Sequence, residues 1–396
     1  MVHSPRIQPN AQRQAWLHSA LLALVFAALL LCVSALAAFS QGSFSQGTAV
    51  PFLRFPADAR SHAMGRTGTG DRTNPYAAQW NIAAAAPLAT STSISISTSS
   101  TPASVLDSAT DIPNNPFLWD SSEVARKRSN RTAFLAFQRP HYFSPNALLF
   151  AVSAQGIQLG AGNVVVSGKY FAMGNTSIND VVNEFSASVG YAVASSSEVS
   201  IGGQLNYIQS EFAPRTAPLT PRQIGRSLSV DIGVLYTPEM LAGLQLDKRV
   251  SVGATFKNIG AAMTYNNFAD PLPTEFRVGI AADILRVKGS RLSLQGDVAL
   301  LLANRRADGS FDSVPMVLLT GWRNPLQASI GAEYAINETL FFRAGYVDDS
   351  NKLTTNLQRL SFGGGFHFAF GSLDFALDVP FNQSGLASTM SVGIRL

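Results

Sequence analysis

Cysteine is almost missing from this chain: Cys32 is the only one in 396 residues. Internal disulfides are therefore excluded, as are multi-thiolate metal sites. Charge is scarce too. Asp, Glu, Lys and Arg make up 14% of the chain, against roughly 25% in an ordinary soluble protein, while apolar residues reach 46%. A large folded surface with so few charges needs a non-aqueous neighbour, and the lipid around a barrel wall is one. Beyond residue 40 the histidines are His62, His141 and His367, and no two stand at metal-ligand spacing, so no metal is expected. The net charge of +4 is no basic nucleic-acid footprint. There is no G-x-S-x-G elbow and no Walker loop, so no catalytic residue and no cofactor are predicted. After the first forty residues no apolar run approaches the roughly twenty residues of a spanning helix. A membrane location would then require a closed β-barrel.

What is present begins with a leader. Arg6 and Arg13 sit in a polar lead, no acidic residue precedes residue 41, and an apolar run extends from Leu21 to Ala38. Ala38-Phe39-Ser40 closes it with small residues at the positions signal peptidase reads. Residues 1–40 thus read as a secretory signal peptide, with a retained anchor as the competing reading. Leu31 precedes Cys32 where a lipoprotein signal wants a small residue, which argues against a lipid anchor. Cleavage would remove Arg6 and Arg13 and take the net charge from +4 to about +2.

Residues 41–88 have little strand character and are rich in Gly, Ala and Arg. From residue 89 onward the texture becomes period-two alternation, the pattern of strands. Leu228, Val230, Ile232, Val234 and Tyr236 alternate with Ser227, Ser229, Asp231 and Gly233. Leu373, Phe375, Leu377 and Val379 alternate with Asp374 and Asp378. One face is apolar, often aromatic; the other carries Ser, Gly, Thr and single charges. The alternating runs reach ten residues or more, as a tilted spanning strand needs. The later prolines fall between the runs, as the missing N–H requires. The fold class predicted is all-β, a transmembrane antiparallel barrel of about fourteen strands over 89–396. Fifteen blocks alternate, one too many for an even barrel, and 146–155 alternates least clearly. A further block, 131–138, belongs to the fifteen. The final strand ends on an apolar residue, Leu396, and resembles the signal read by outer-membrane assembly machinery.

On the inward face the pattern puts Asp231, Lys257, Arg277, Asp297, Glu333, Arg343, Asp374 and Arg395. Mixed signs predict a lumen filled by internal ion pairs, where ion selectivity would favour a ring of one sign. The aromatics Tyr236, Phe256, Tyr265, Tyr334, Phe342, Tyr346 and Phe368 are expected at the interface girdle or on the lipid-facing wall. Gly65-Arg66-Thr67-Gly68-Thr69-Gly70 is glycine-rich, but it lacks the Lys-Ser/Thr ending of a phosphate loop and reads as a compact turn.

The segment after the leader is the most distinctive. It runs Phe52-Leu53-Arg54, then Asp58-Ala59-Arg60, then Ala63-Met64-Gly65, then Trp80-Asn81-Ile82-Ala83. It resembles the N-terminal signature of the PorV/PorQ family, with Ile82 where the family has proline. Lys257-Asn258-Ile259-Gly260, Tyr265, Leu272-Pro273-Thr274, Arg277-Val278-Gly279, Gly331-x-Glu333-Tyr334 and Arg343-Ala344-Gly345-Tyr346 are similar to that family's later motifs in the same order. The resemblance implies a fourteen-stranded barrel related to the FadL fatty-acid transporters, with 41–88 as an N-terminal plug. It further implies an outer-membrane part in type IX protein secretion. The expected partners are outer-membrane lipid, a large translocon barrel, cargo proteins with a C-terminal sorting domain, and a surface sortase or attachment complex. A FadL-like channel for hydrophobic small molecules is the alternative, and the polar, Gly-rich inward face leans against it.

Overall fold

In the computed structural model the described residues are 48–74, 76–88, 93–102, 146–175, 180–213, 223–241, 244–245, 249–265, 268–303, 312, 317, 326–349, 357–381 and 387–395. Residues 1–47 with Cys32, the block 131–138 and most of the long connections lie outside them.

Among the described residues eighteen strands form, fourteen of them in one closed ring. These are β1 (Ser93–Pro102), β2 (Asn146–Leu159), β3 (Gly162–Asn175), β4 (Asp180–Ala194), β5 (Val199–Ala213), β6 (Gln223–Tyr236), β9 (Val250–Gly260), β12 (Glu275–Val287), β13 (Ser290–Leu301), β14 (Leu326–Ile336), β15 (Leu340–Asp349), β16 (Leu357–Phe368), β17 (Gly371–Pro380) and β18 (Ala387–Arg395). The pairs β7 (Met240–Leu241) with β8 (Leu244–Gln245), and β10 (Met263–Tyr265) with β11 (Phe268–Asp270), are small hairpins within connections. Every neighbouring pair in the ring is antiparallel, and β1 closes it by pairing with both β18 and β2. The block 146–155 is therefore a full member of the barrel, and the ring reaches fourteen without 131–138. Its alternation is blurred at Gln155 and Gly156, where β2 and β3 slip register between Ala154 and Ile157.

The alternation sorts the side chains as barrel physics requires. Large apolar residues point outward: Leu228, Phe342 and Phe375 are 57%, 56% and 57% exposed. Their in-chain neighbours, such as Ser227, Ser229, Asp231 and Arg343, are buried. An exposed apolar wall of this extent is stable only against lipid. Tight turns gather at one end, around 160–161, 288–289, 337–339 and 369–370. The long connections 103–145, 214–222 and 302–325 leave the other end, which is the extracellular one by the usual rule for such barrels.

One aromatic departs from expectation. Tyr236, Tyr334 and Phe342 do stand on the outer wall, at 38%, 39% and 56% exposure. Tyr265 does not. The β10–β11 hairpin folds inward, and Met263, Tyr265 and Leu272 pack with Val50, Phe52, Phe171 and Ile208 as a buried apolar cluster. The alternating pattern could not reveal this, because the hairpin's partner surface comes from residues some two hundred positions earlier.

The same region explains the Asn-Ile-Gly and Leu-Pro-Thr motifs. Between Val230 and Ile232 the β6–β9 ladder slips, so Asp231 faces both Lys257 and Asn258. Asn258 takes a left-handed backbone, φ 55°, a bulge conformation that asparagine tolerates better than most residues. Its N–H donates to Asp231 Oδ1 at 2.6 Å, and its side-chain amide donates to the Pro273 carbonyl at 3.1 Å. Thr274 Oγ1 donates in turn to the Asn258 carbonyl at 2.8 Å. The bulge thus ties the strap before β12 to the wall. Asn258→Ala should lower barrel stability by about 2 kcal/mol, from backbone strain plus one lost buried hydrogen bond. Asn258→Gly should recover part of it by removing the strain. Urea titration of the folded band on unheated gels measures both.

Candidate functional site

The interior of the barrel is occupied by residues 48–88. Two short α-helices, α1 (Ala59–Ala63) and α2 (Ala77–Trp80), and two 3-10 turns, Pro51–Arg54 and Ile82–Leu88, carry this segment across the lumen. It touches inward-facing residues around the whole ring: Ser391 from the Ala59 N–H at 2.8 Å, Glu333 from Arg60, Asp297 from Thr69, Ser251 from the Gly70 carbonyl and Asn163 from the Ala85 and Ala86 carbonyls.

Each residue of the signature has an identifiable job. Phe52 and Leu53 enter the apolar cluster beside Phe171. Arg54 reaches Glu275 at 3.2 Å and Gln327 at 3.1 Å. Asp58 caps α1 by accepting from the Ser61 N–H at 2.8 Å, satisfying a helix-end donor. Arg60 pairs with Asp71 and with Glu333, its Nε lying 2.8 Å from Oε2. Burial alone would lower the Arg60 guanidinium, but the Asp71 and Glu333 carboxylates outweigh it and hold it well above its ordinary value. Burial would likewise raise the Asp71 carboxyl, yet Arg60 and the Thr73 N–H keep it below the usual range. Trp80 donates from Nε1 to Ser61 Oγ at 2.8 Å and receives the Arg277 guanidinium over its ring at 4.8 Å. Asn81 donates to the Thr69 carbonyl at 3.0 Å and the Val234 carbonyl at 2.9 Å, while its Oδ1 accepts from Ala83. Ile82 then opens the second 3-10 turn. Proline suits a first helical position because no N–H is needed there. Isoleucine keeps that start and adds a side chain to the Val165 and Ala192 cluster.

Met64 and Gly65 lie against bare backbone. Gly65 has φ +66°, and a β-carbon there would stand 2.6 Å from the Tyr346 nitrogen. The wall opposite is a trough of paired glycines: Gly331 faces Gly345, and Gly253 faces Gly279. A β-carbon on Gly345 would overlap the Gly65 nitrogen, and one on Gly253 would overlap the Thr69 carbonyl oxygen. Two residues from these glycines stand charged residues, Glu333, Arg343 and Arg277. The motifs Gly331-x-Glu333, Arg343-x-Gly345 and Arg277-x-Gly279 therefore share one logic: the glycine lets the segment's backbone approach, and the charge beside it grips the segment or its anchors.

Seven of the eight charged residues on the predicted inward face are buried inside, Asp231, Lys257, Arg277, Asp297, Glu333, Arg343 and Asp374. Arg395 ends β18 opposite Ser93, and its side chain lies outside the described residues. They form separate groups. Glu333 accepts from Arg60, Arg343 and Arg291, with Arg343 also 2.6 Å from Asp374. Asp297 accepts from the Gly68 N–H at 3.1 Å, the Thr69 N–H at 3.0 Å, Thr69 Oγ1 at 2.6 Å and Arg277 at 3.1 Å. The glycine-rich loop is thus an anion cradle whose anion is a wall carboxylate. Asp231 and Lys257 belong to a third group near α2. His367 lies 3.3 Å from Asp374 and stacks on Phe341. Lys169, Glu275, Asp71 and Gln79 are equally engaged and were not singled out from the sequence. For Lys169 and Glu275 the inward period was the available signal. For Asp71 and Gln79, whose partners are remote, there was none.

Among the described residues no group of three His, Cys, Asp or Glu side chains is placed to hold a metal. What the arrangement does chemically is bind chain to chain: buried ion pairs and backbone contacts hold the segment to the inner wall.

Comparison with known proteins places the chain. Residues 40–307 match the family model described as type IX secretion system protein PorV. No curated protein matches the sequence. Among solved structures, the chain is similar to the Pseudomonas putida toluene transporter TodX, with 13% identity, a TM-score of 0.52, and 87% of this chain and 99% of that one covered. It is similar to the monoaromatic hydrocarbon channel CymD, with 12% identity, a TM-score of 0.53 and coverages of 86% and 97%. The Ralstonia pickettii toluene transporter TbuX matches at 12% identity and a TM-score of 0.50, with coverages of 86% and 98%. At these identities the likeness is one of fold.

Proposed function

This chain belongs to the PorV family of type IX secretion system proteins and is a multi-pass outer-membrane β-barrel; from that premise we propose that it works as a shuttle, binding C-terminal-signal cargo as it leaves a large translocon barrel and passing it to a surface attachment complex. Residues 48–88 serve as its plug, the barrel carries out no bond chemistry, and the binding surface is the set of long extracellular loops. Such loops on a rigid scaffold are where binding commonly resides.

The observation that carries this reading is the polar, occupied lumen. The inner wall is lined by Ser, Gly, Asn, Gln and ion pairs, and the N-terminal segment is hydrogen-bonded to it around the ring. A protein that handles other proteins at its rim needs no open bore, and a permanently braced interior suits it.

The second reading is a channel for hydrophobic small molecules, favoured by the fold shared with TodX and CymD. Such a channel needs an apolar passage through the lumen or the wall. The interior cavity between the N-terminal segment and the wall is lined by Lys169, Lys257, Asp231, Gln204 and Asn206 among others, and each of the fourteen ladders is paired over seven residues or more, which weighs against it.

Deleting the gene separates the two. The expected outcome is loss of C-terminal-signal proteins from the cell surface, restored by the wild-type gene. Normal surface display with impaired uptake of hydrophobic compounds would overturn the shuttle and leave the channel.

A further inference from the structure

The N-terminal segment has a direction, and its two ends lie at opposite mouths of the barrel. Strand β3 rises from the tight turn at 160–161, and antiparallel pairing around the ring makes β5 and β9 rise with it. The connection from β9 to β12, residues 261–274, therefore lies at the end with the long connections, the extracellular one. The start of the segment sits there. The Ala49 N–H donates to the Pro271 carbonyl of that connection at 2.9 Å. Val50 and Phe52 pack with Met263 and Leu272 of the same connection. They also meet Phe171 and Ile208, in the upper halves of β3 and β5. Arg54 reaches Glu275, the first residue of β12.

From this level the segment descends. The Ala59 N–H donates to Ser391, midway along β18. The Gly70 carbonyl accepts from Ser251, the second residue of β9. The Ala85 and Ala86 carbonyls accept from Asn163, the second residue of β3, at 3.1 and 3.0 Å. Strand β1 then starts upward from Ser93, paired with Arg395 at the tight-turn end. Later residues of the segment thus touch lower parts of the wall. At its upper end Thr48 is half-buried, Ala49 and Val50 are buried, and the neighbouring connection is exposed at Ala261, Ala262 and Thr264. An apolar collar closed on Val50 and Phe52 keeps these side chains from water at the mouth and fixes the segment where it enters.

We propose that the segment enters the barrel from the cell's exterior, with Thr48 opening on the outer surface beside the extracellular loops and the apolar collar acting as an outer clasp. The segment is then addressable from outside. A protein seated on the extracellular rim meets its upper end directly, whereas a periplasmic protein meets only the region of Ala85 and Ala86. This assignment of sides follows from the orientation of the barrel and does not rest on the shuttle reading.

The test uses intact cells expressing the full chain with one cysteine added. Cys32 is the only native cysteine, so the wild-type chain is the blank. The probe is a polyethylene-glycol maleimide too large for porins, read as a gel shift, and heat-modifiability shows that each variant is folded. Thr48→Cys should be labelled in intact cells as fully as Thr264→Cys. Lys288→Cys, at the exposed turn between β12 and β13, should be labelled only after the outer membrane is permeabilised. If Thr48→Cys behaves like Lys288→Cys, the proposal is overturned. Labelling of Thr48→Cys only after denaturation overturns it too, since the mouth would then be closed over that residue. Exchange of the two reference patterns would overturn the assignment of sides itself.

Discussion

Glu333→Ala is expected to unfold at a far lower urea concentration than the wild-type barrel, by the equivalent of about 3–5 kcal/mol. The magnitude follows from what one carboxylate holds. Glu333 is 1% exposed, and it accepts from Arg60 Nε at 2.8 Å, Arg343 Nε at 2.7 Å and Arg291 Nη2 at 3.0 Å. Removing it leaves three guanidiniums, two of them with buried side chains, short of a partner, and breaking a buried pair from one side costs about 3–5 kcal/mol. Asp71, Asp374 and Glu338 remain as secondary partners for Arg60, Arg343 and Arg291, so the losses do not simply add. Arg343 sits directly opposite Glu333 across the β14–β15 ladder. A double variant, Glu333→Ala with Arg343→Met, should therefore recover part of the loss. A shift of less than about 1 kcal/mol for the single variant is the value expected of an exposed pair. It would mean that water reaches the network and that the lumen is not sealed there.

How much of this was legible in the sequence depends on which forces set each feature. The wall was legible because its period is local: a residue's orientation in a strand follows from its neighbours two away. Even the Asp231 bulge leaves a trace, since Lys257 and Asn258 are consecutive polar residues where alternation would allow one. The charged inward residues could be picked out, but not their groupings, because Glu333 meets Arg60 across 273 positions. The glycines were visible as residues without a stated purpose. Only the fold shows that Gly345 and Gly331 face each other beneath Met64 and Gly65. Tyr265 was placed on the wrong side because its hairpin interrupts a long connection, where no periodicity constrains it. The loops on which the proposed function rests remain the least legible part. Their chemistry lies in partners, and neither strand period nor core packing encodes those.

The glycine trough supplies the second large effect. Gly345→Val should turn a closed barrel into a leaky one. At this position an added β-carbon meets the Gly65 nitrogen and the Met64 carbonyl carbon, both backbone atoms, so no side-chain rotation relieves the clash. Two outcomes are available to the protein: the wall bends, or the segment lifts. The wall is held on both sides by continuous ladders, Gly345 pairing with Gly331 and with Ser361. The segment at this point is a turn with Gly65 and Arg66 both at positive φ, and it is the softer body. Overpacking of this kind costs about 1–3 kcal/mol, less than a barrel of fourteen paired strands needs to come apart. The expected result is a folded protein, still heat-modifiable on gels, that conducts ions in planar bilayers where the wild type does not. It should also sensitise cells to large antibiotics normally excluded by the outer membrane. Gly203→Ala, in β5 where the backbone is not left-handed and an added β-carbon meets nothing closer than 3.9 Å, is the control for simple glycine replacement and should leave conductance at the wild-type level. If Gly345→Val folds and remains non-conducting, the turn at Met64 and Gly65 is not what closes the bore. The seal would then have to come from the β10–β11 hairpin and the apolar cluster around Phe52 and Met263.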